Sequence, residues 1–417
     1  MRRLIVYLNS EEVGELDQDD NGLIEFLYKQ EWLQRSDAMP LSRSLPLQSE
    51  SFKGNKARPF FAGILPEEGP RRLIASILGI SERNDFAMLE RIGGECAGAV
   101  SLLPEDIQPP AIDETRLHEL SEKDLKEIIK ELPRRPLLAG KEGMRLSLAG
   151  AQDKLPVIVR GSRIFLPLGN TPSTHIIKPE PDRFPGLAAN EIFCMTLAKS
   201  ADLSVPPVES RIVDGKACIL VQRYDRNTLN EGAVIRIHQE DFCQALGFPP
   251  ERKYQQEGGP LLRDCISLLR DWSTTPVLDI REFIDGLIFN VLIGNADAHG
   301  KNYSILYNGR ERRLAPFYDL VCTLAWPELS KNLSMKIGKG DSLEDIKPTH
   351  WEKMAAETQL GWPMIRSRMM ELAQVILDRI HDAQAKSGTT DRAMTDRVAA
   401  IVSERTTATL QSLKKSL

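Results

Sequence analysis

The rhythm of apolar and polar positions changes along the chain and divides it. From Arg3 to Leu8, and again from Val13 to Leu16 and Leu23 to Tyr28, short apolar runs broken at Asn9-Ser10 predict an opening hairpin and a further strand. Helical spacing then appears in Arg71–Gly79 and in Asp85–Ile92, the second closed by Gly93-Gly94, so two helices should pack on that sheet. Ala99–Leu103 reads as a last strand and Pro104–Pro110 as a linker. Ser121-Glu122-Lys123-Asp124 starts a helix that Pro133 ends, with Asp where a capping box usually carries Glu or Gln. A second group of strands follows at Leu155–Val159, Arg163–Leu166, His175–Lys178, Ser210–Val213 and Ala217–Val221, with Asp214-Gly215 turning between the last two. One helix, Ala188–Ala198, interrupts them. From Gln239 onward the pattern reads as almost all helix, through 261–272, 280–293, 354–380 and 395–413.

The most apolar helical run, Phe283–Ile293, is too short to cross a bilayer and suits a helix buried in a core. It leads into the loop Gly294-Asn295-Ala296-Asp297-Ala298-His299-Gly300-Lys301-Asn302, then a strand at Tyr303–Tyr307, the turn Asn308-Gly309, and a second strand towards Phe317-Tyr318-Asp319-Leu320. Such a hairpin carries Asp319 back beside Asp297. Phosphoryl transfer needs these residue types: Mg²⁺ ions take oxygen ligands, and the attacking hydroxyl needs a carboxylate to orient it and accept its proton. Asp297 suits the base, and Asn302 and Asp319 the metal. Asp and Asn also abound in ordinary turns, so the D-x-x-x-x-N spacing gains its weight from the helix before it and the hairpin after it.

Composition narrows the picture. Lys and Arg number 54 against 59 Asp and Glu, a formal charge of −5 that gives no general basic footprint for nucleic acid. DNA contact would be local or through a partner. Six cysteines without a C-x-x-C pair fit buried thiols in a reducing compartment, and no targeting segment or membrane span is read, so the cytoplasm is expected. His299 has no H-x-x-x-H companion among the other histidines, which argues against a histidine-ligated metal hydrolase.

Lys178, ending its strand, is the candidate to pair with nucleotide phosphates, with Glu191 on the next helix as its ion-pair partner. The small residues of Leu146–Lys154 offer backbone amides to phosphate. Gln222-Arg223-Tyr224 sits where a hinge would meet adenine. Ser147–Lys154, Thr174–Lys178, Gln222–Arg226, Gln239–Gly247, Asn295–Asn302 and Phe317–Leu320, in this order, resemble the motifs of HipA-family serine/threonine kinases. Gly63–Glu67 and Ile92–Val100 resemble that family's extra N-terminal subdomain.

The resemblance implies an α+β, protein-kinase-like two-lobed fold with a mainly helical C-terminal lobe and an extra β-rich N-terminal subdomain. Its expected divisions are 1–110, a linker helix and small lobe at 111–224, and the helical large lobe at 225–417. It implies an ATP- and Mg²⁺-dependent toxin of a toxin-antitoxin pair, partnered by a small helix-turn-helix, HipB-like antitoxin that supplies DNA recognition. The family's best-known target is glutamyl-tRNA synthetase, an aminoacyl-tRNA synthetase whose phosphorylation slows translation and growth. By motif matching, Asp297 is the catalytic residue and Asn302 and Asp319 are the metal ligands. The ATP contacts are Ala149, Gly150, Ala151, Gln152, Asp153, Lys154, Lys178, Gln222, Arg223, Tyr224, His299, Gly300, Lys301, Asn302, Tyr318 and Asp319. Ser147 is the autophosphorylation site, and its added charge should drive the loop outward. Gln222 stands where the family often has Glu, and Asp153 where Glu is common. The competing readings are a non-catalytic nucleotide-binding subunit of a repressor complex and a small-molecule phosphotransferase.

Overall fold

In the computed structural model, which describes residues 2–107, 117–168, 171–228 and 234–415, the alternating start of the chain becomes an antiparallel sheet. Its strands are β1 (Arg2–Leu8), β2 (Glu11–Gln18), β3 (Ile24–Tyr28), β4 (Phe52–Lys53) and β5 (Val100–Pro104), ordered β4-β3-β2-β1-β5. Leu4, Val6 and Leu8 share one face of β1 and are buried. The segments α1 (Gln30–Leu33), α2 (Arg58–Gly63), α3 (Glu68–Leu78) and α4 (Asp85–Ile92) supply Trp32, Phe60, Phe61, Ile74, Phe86 and Leu89 to the same core. The expected linker leaves the described residues after Ile107.

The second sheet is built from β6 (His118–Leu120), β7 (Leu155–Arg160), β8 (Arg163–Leu166), β9 (His175–Pro179), β10 (Val208–Val213) and β11 (Lys216–Gln222), ordered β10-β11-β9-β7-β8-β6. The sequence pattern did not reveal β6, which is too short to show a period and exists because it pairs with β8. Between β6 and β7 lies α5 (Glu122–Glu131), opened by the expected capping box of Ser121 and Asp124. Between β9 and β10 lies α6 (Leu187–Ser200). It is apolar all round because it is covered on both sides: Phe193, Cys194 and Leu197 enter the core below, while Ile192 packs on Ile219 and Val221 of the sheet.

The remainder contains β12 (Arg226–Thr228), β13 (Val234–Arg236), β14 (His238–Asp241), α7 (Phe242–Leu246), α8 (Leu262–Trp272), α9 (Pro276–Ile293), β15 (Ser304–Asn308), β16 (Glu311–Leu314), β17 (Asn332–Ile337), β18 (Gly340–Ser342), α10 (Pro348–Glu357), α11 (Trp362–Lys386) and α12 (Arg392–Lys415). It is less purely helical than the pattern suggests. Residues 238–241 are a strand because they pair with 304–307, far along the chain, and the helix begins only at Phe242. There Asp241 caps it, accepting the Gln244 amide at 2.8 Å while the Gln244 side chain accepts the Asp241 amide at 2.8 Å. The run 354–380 is broken at Gln359, whose φ is +58, and restarts at Trp362-Pro363. No helix among the described residues is long and apolar enough to cross a membrane.

Candidate active site

The loop after α9 is fixed by its own polar residues. Gly294 ends the helix at φ +75, in the left-handed region that glycine enters without a Cβ clash. Asn295 donates to Asn290 Oδ1 at 2.8 Å and accepts the Asp297 amide at 3.0 Å. The Ala296 amide donates to Thr323 Oγ1 at 3.0 Å, and its carbonyl accepts the Ser334 hydroxyl at 2.9 Å. Asp297 lines a cavity of about 960 Å³, at the upper end of ligand-pocket sizes. Burial pushes its pKa up, and a hydrogen bond from the Tyr254 hydroxyl at 2.9 Å partly offsets this. Sequence reasoning missed Tyr254, since nothing local links residue 254 to residue 297.

Lys178 ends β9 with its ammonium between two carboxylates. It donates to Glu191 Oε1 of α6 at 2.7 Å and also to Asp319 Oδ1. The expected Lys178–Glu191 pair is thus formed, and Asp319 joins it. β16 stops at Leu314, so an irregular segment rather than a strand brings Asp319 in, at φ +54. Burial alone would raise the Asp319 pKa, but Lys178 and Lys154 outweigh it and hold the carboxyl below its ordinary value. Asn302 Oδ1 accepts the His299 amide at 3.1 Å and keeps a second lone pair.

The small-residue loop is stitched to the N-terminal part. Ser147 is fully buried; its amide donates to the Glu95 carbonyl at 2.8 Å and its hydroxyl to the Ile64 carbonyl at 3.1 Å. The Gly150 carbonyl accepts the Glu67 amide at 3.2 Å. Ala149, Gly150, Ala151, Gln152, Asp153 and Lys154 border the cavity. Lys154 turns back onto the Ala149 carbonyl, and burial pushes its ammonium down to about 8.

Several predicted ATP contacts turn out to have other partners. Gly300 does not border the cavity: its amide donates to the Lys253 carbonyl at 3.4 Å, and a Cβ there would lie 2.9 Å from Cys243 Sγ and from Pro260. Lys301 donates its buried ammonium to Asp241 at 2.6 Å and to the Gly63 carbonyl at 3.1 Å. Arg223 borders the cavity but its guanidinium is taken up by Asp225 at 2.7 Å, Ser173 at 2.8 Å and Glu95 at 3.1 Å, while its amide donates to the Thr174 carbonyl. Gln222 remains at the cavity wall. Tyr224 stacks on Tyr318 with ring centres 5.7 Å apart, and the Tyr318 hydroxyl donates to the Lys301 carbonyl at 2.6 Å. His299 is buried edge-on to Tyr254, and burial pushes its imidazole down to about 3, so it is neutral at physiological pH.

Two buried polar atoms bordering this cavity, His299 Nδ1 and Glu67 Oε1, lack a hydrogen-bond partner within the described residues. The Glu67 oxygen, 3.7 Å from the Lys301 ammonium, could be satisfied only by a ligand group that donates a hydrogen bond or by a cation. The carboxylate of Asp319 and the amide oxygen of Asn302 are the hard oxygen donors that Mg²⁺ takes, and Lys178 and Lys154 supply the cations that phosphates need. The residue set fits a magnesium nucleotide.

Residues 4–103 match the HipA N-terminal domain and residues 146–385 the HipA-like C-terminal domain. A Sinorhizobium fredii protein named "Putative kinase Y4mE" is 47% identical over 375 residues, covering 89% of each chain. The serine/threonine-protein kinase toxin HipA of Shewanella oneidensis is 31% identical over 346 residues, covering 80% of this chain and 78% of its own. A chain in a solved complex of Shewanella oneidensis HipA, HipB and operator DNA has a TM-score of 0.88 at 27% identity, covering 99% of this chain and 98% of that one.

Proposed function

This chain belongs to the HipA family, and from that membership we propose that it is a serine/threonine protein kinase acting as the toxin of a toxin-antitoxin pair. The observation that carries the reading is Lys178 bound to both Glu191 and Asp319 at the cavity that Asp297 lines. When bound, Mg²⁺·ATP supplies the phosphoryl group and the metal charge that steadies it. Asp319 and Asn302 would hold the metal. Lys178, kept charged by its two carboxylates, and Lys154 would bind phosphate oxygens. Asp297 would orient the acceptor hydroxyl and take its proton. The Tyr224–Tyr318 stack and the Gln222 edge would border the base.

By family resemblance the substrate is an aminoacyl-tRNA synthetase, of glutamyl type. The net charge of −5 and the relative's complex support a HipB-like helix-turn-helix antitoxin as the DNA-reading partner, with the pair in the cytoplasm. The divisions 1–110, 111–224 and 225–417 stand as the proposed domain organisation. Ser147 is the proposed self-phosphorylation site. Its seated position gives the switch a physical basis, because a phosphate there would forfeit the hydroxyl's bond to the Ile64 carbonyl and crowd a buried loop.

The test is Asp297→Asn, assayed with radiolabelled ATP and by nucleotide titration. Loss of the base should slow transfer roughly 10²- to 10⁴-fold while nucleotide affinity is retained. Wild-type transfer by the variant would refute the assignment.

A further inference from the structure

Tyr254 is held from several directions. Its carbonyl accepts the amides of Glu257 and Gly259, each at 3.0 Å. Gly259 has no room for a side chain, since a Cβ would lie 2.2 Å from the Arg252 carbonyl oxygen and 2.7 Å from that of Tyr254. The ring meets His299 at 5.1 Å between centres and lies 5.4 Å from the Lys253 ammonium. Lys253 donates to Glu67 at 2.9 Å and to Glu68 at 3.3 Å, both contributed by the N-terminal part of the chain. Among the described residues, the bond from Tyr254 is the one side-chain hydrogen bond that reaches the Asp297 carboxylate.

We propose that Tyr254 is a positioning residue for Asp297, and that Glu67 and Glu68 set Tyr254 through Lys253, so that the N-terminal subdomain governs phosphoryl transfer by way of the base. This rests on the kinase reading above. The physical reason is rotational. The terminal torsion of an aspartate is broad, so an untethered carboxylate samples many orientations. The bond to Oδ1 fixes the plane and leaves Oδ2 for the acceptor hydroxyl. A hydrogen bond to a charged group and a reactive geometry held closely each change rates substantially.

The experiment measures ADP formation from Mg²⁺·ATP, together with nucleotide affinity, for the full chain and for Tyr254→Phe, Lys253→Met, the double variant and Asp297→Asn. Tyr254→Phe should lower kcat on the order of ten- to a hundredfold, with KM for ATP and nucleotide affinity unchanged. Lys253→Met should lower kcat less, and adding it to Tyr254→Phe should bring no further loss. A wild-type kcat for Tyr254→Phe overturns the proposal. So does a faster variant, which would mean that the hydroxyl blocks the base, or a loss carried by KM, which would mean a merely structural role. Additive losses would show that Lys253 acts on Asp297 directly and would remove the N-terminal link. If Asp297→Asn keeps full activity, the base assignment itself fails; if it is inactive while Tyr254→Phe is normal, only the role of Tyr254 falls.

Discussion

His238 shows what a single buried side chain does to the pH response. Its Nε2 bonds the Leu41 carbonyl at 2.8 Å, and since a carbonyl only accepts, the ring proton sits on that nitrogen. Burial pushes its pKa down to about 4 from the ordinary 6.5. Below pH 6.5 the unfolded chain therefore binds a proton that the folded chain refuses, and stability falls as pH drops from 6.5 towards 4, by about 3 kcal/mol from this group. Glu240, pushed up to about 7 by burial, pulls the opposite way: its contribution is present below pH 4.5 and lost as pH rises through 7. The check is the urea midpoint against pH for wild type and His238→Gln. The variant should lose less stability between pH 6.5 and 4; parallel curves would contradict the assignment. Neither shift is visible in sequence, where position 238 is one histidine among six.

Helix α9 leads into the loop that holds Asp297 and shows how one small residue sets a distance. A Cβ on Gly286 would lie 2.4 to 3.0 Å from three atoms of the Phe317 ring. The glycine thus lets the segment leading to Asp319 seat directly on the helix. Gly286→Ala should destabilise the fold by roughly 1–3 kcal/mol through overpacking and should weaken nucleotide binding by displacing Phe317, two residues before Asp319. Thermal unfolding and nucleotide titration read the two effects; unchanged affinity with lowered stability would confine the role to packing. At this scale the apolar run 283–293 was legible because its period is local. The strand at 238–241 was not, because four residues carry too little period and their pairing partners lie at 304–307.

Across the whole molecule, buried charge joins the N-terminal part to residues 223–236. Glu95 accepts from Arg223 at 3.1 Å, Arg226 at 2.9 Å and Arg236 at 2.5 Å, and Asp225 pairs with Arg223 at 2.7 Å. Burial raises the Glu95 pKa, but the three guanidinium groups outweigh it and hold the carboxylate far below its ordinary range. The hydrophobic core is also continuous here: Leu4, Val6 and Phe26 belong with Leu155, Val157, Ile177 and Leu220. Glu95→Ala removes a shared counter-charge from three buried arginines and should cost about 3–5 kcal/mol. Denaturant unfolding of the full chain checks it, and a wild-type midpoint would refute it.

The sequence by itself determined most of the elements and most of the residues that border the cavity. Strand alternation, helical period and capping act over a few positions, so the opening sheet, α6, α9 and the loop holding Asp297 and Asn302 could be read from neighbours alone. The pairing of Lys178 with Glu191 followed from the same order. Only the tertiary structure decided which charges are free to act. Arg223 and Lys301 border the cavity as their place in the motifs suggests, yet their charged ends are already engaged by buried Asp225, Glu95 and Asp241. Tyr254 came to Asp297, and Glu67 to the cavity, from separate stretches of the chain. The physical reason is one of range. Backbone preferences are settled locally, whereas a buried charge must find a partner wherever the folded chain supplies one, because leaving it unpaired in a medium of low dielectric constant is too unfavourable.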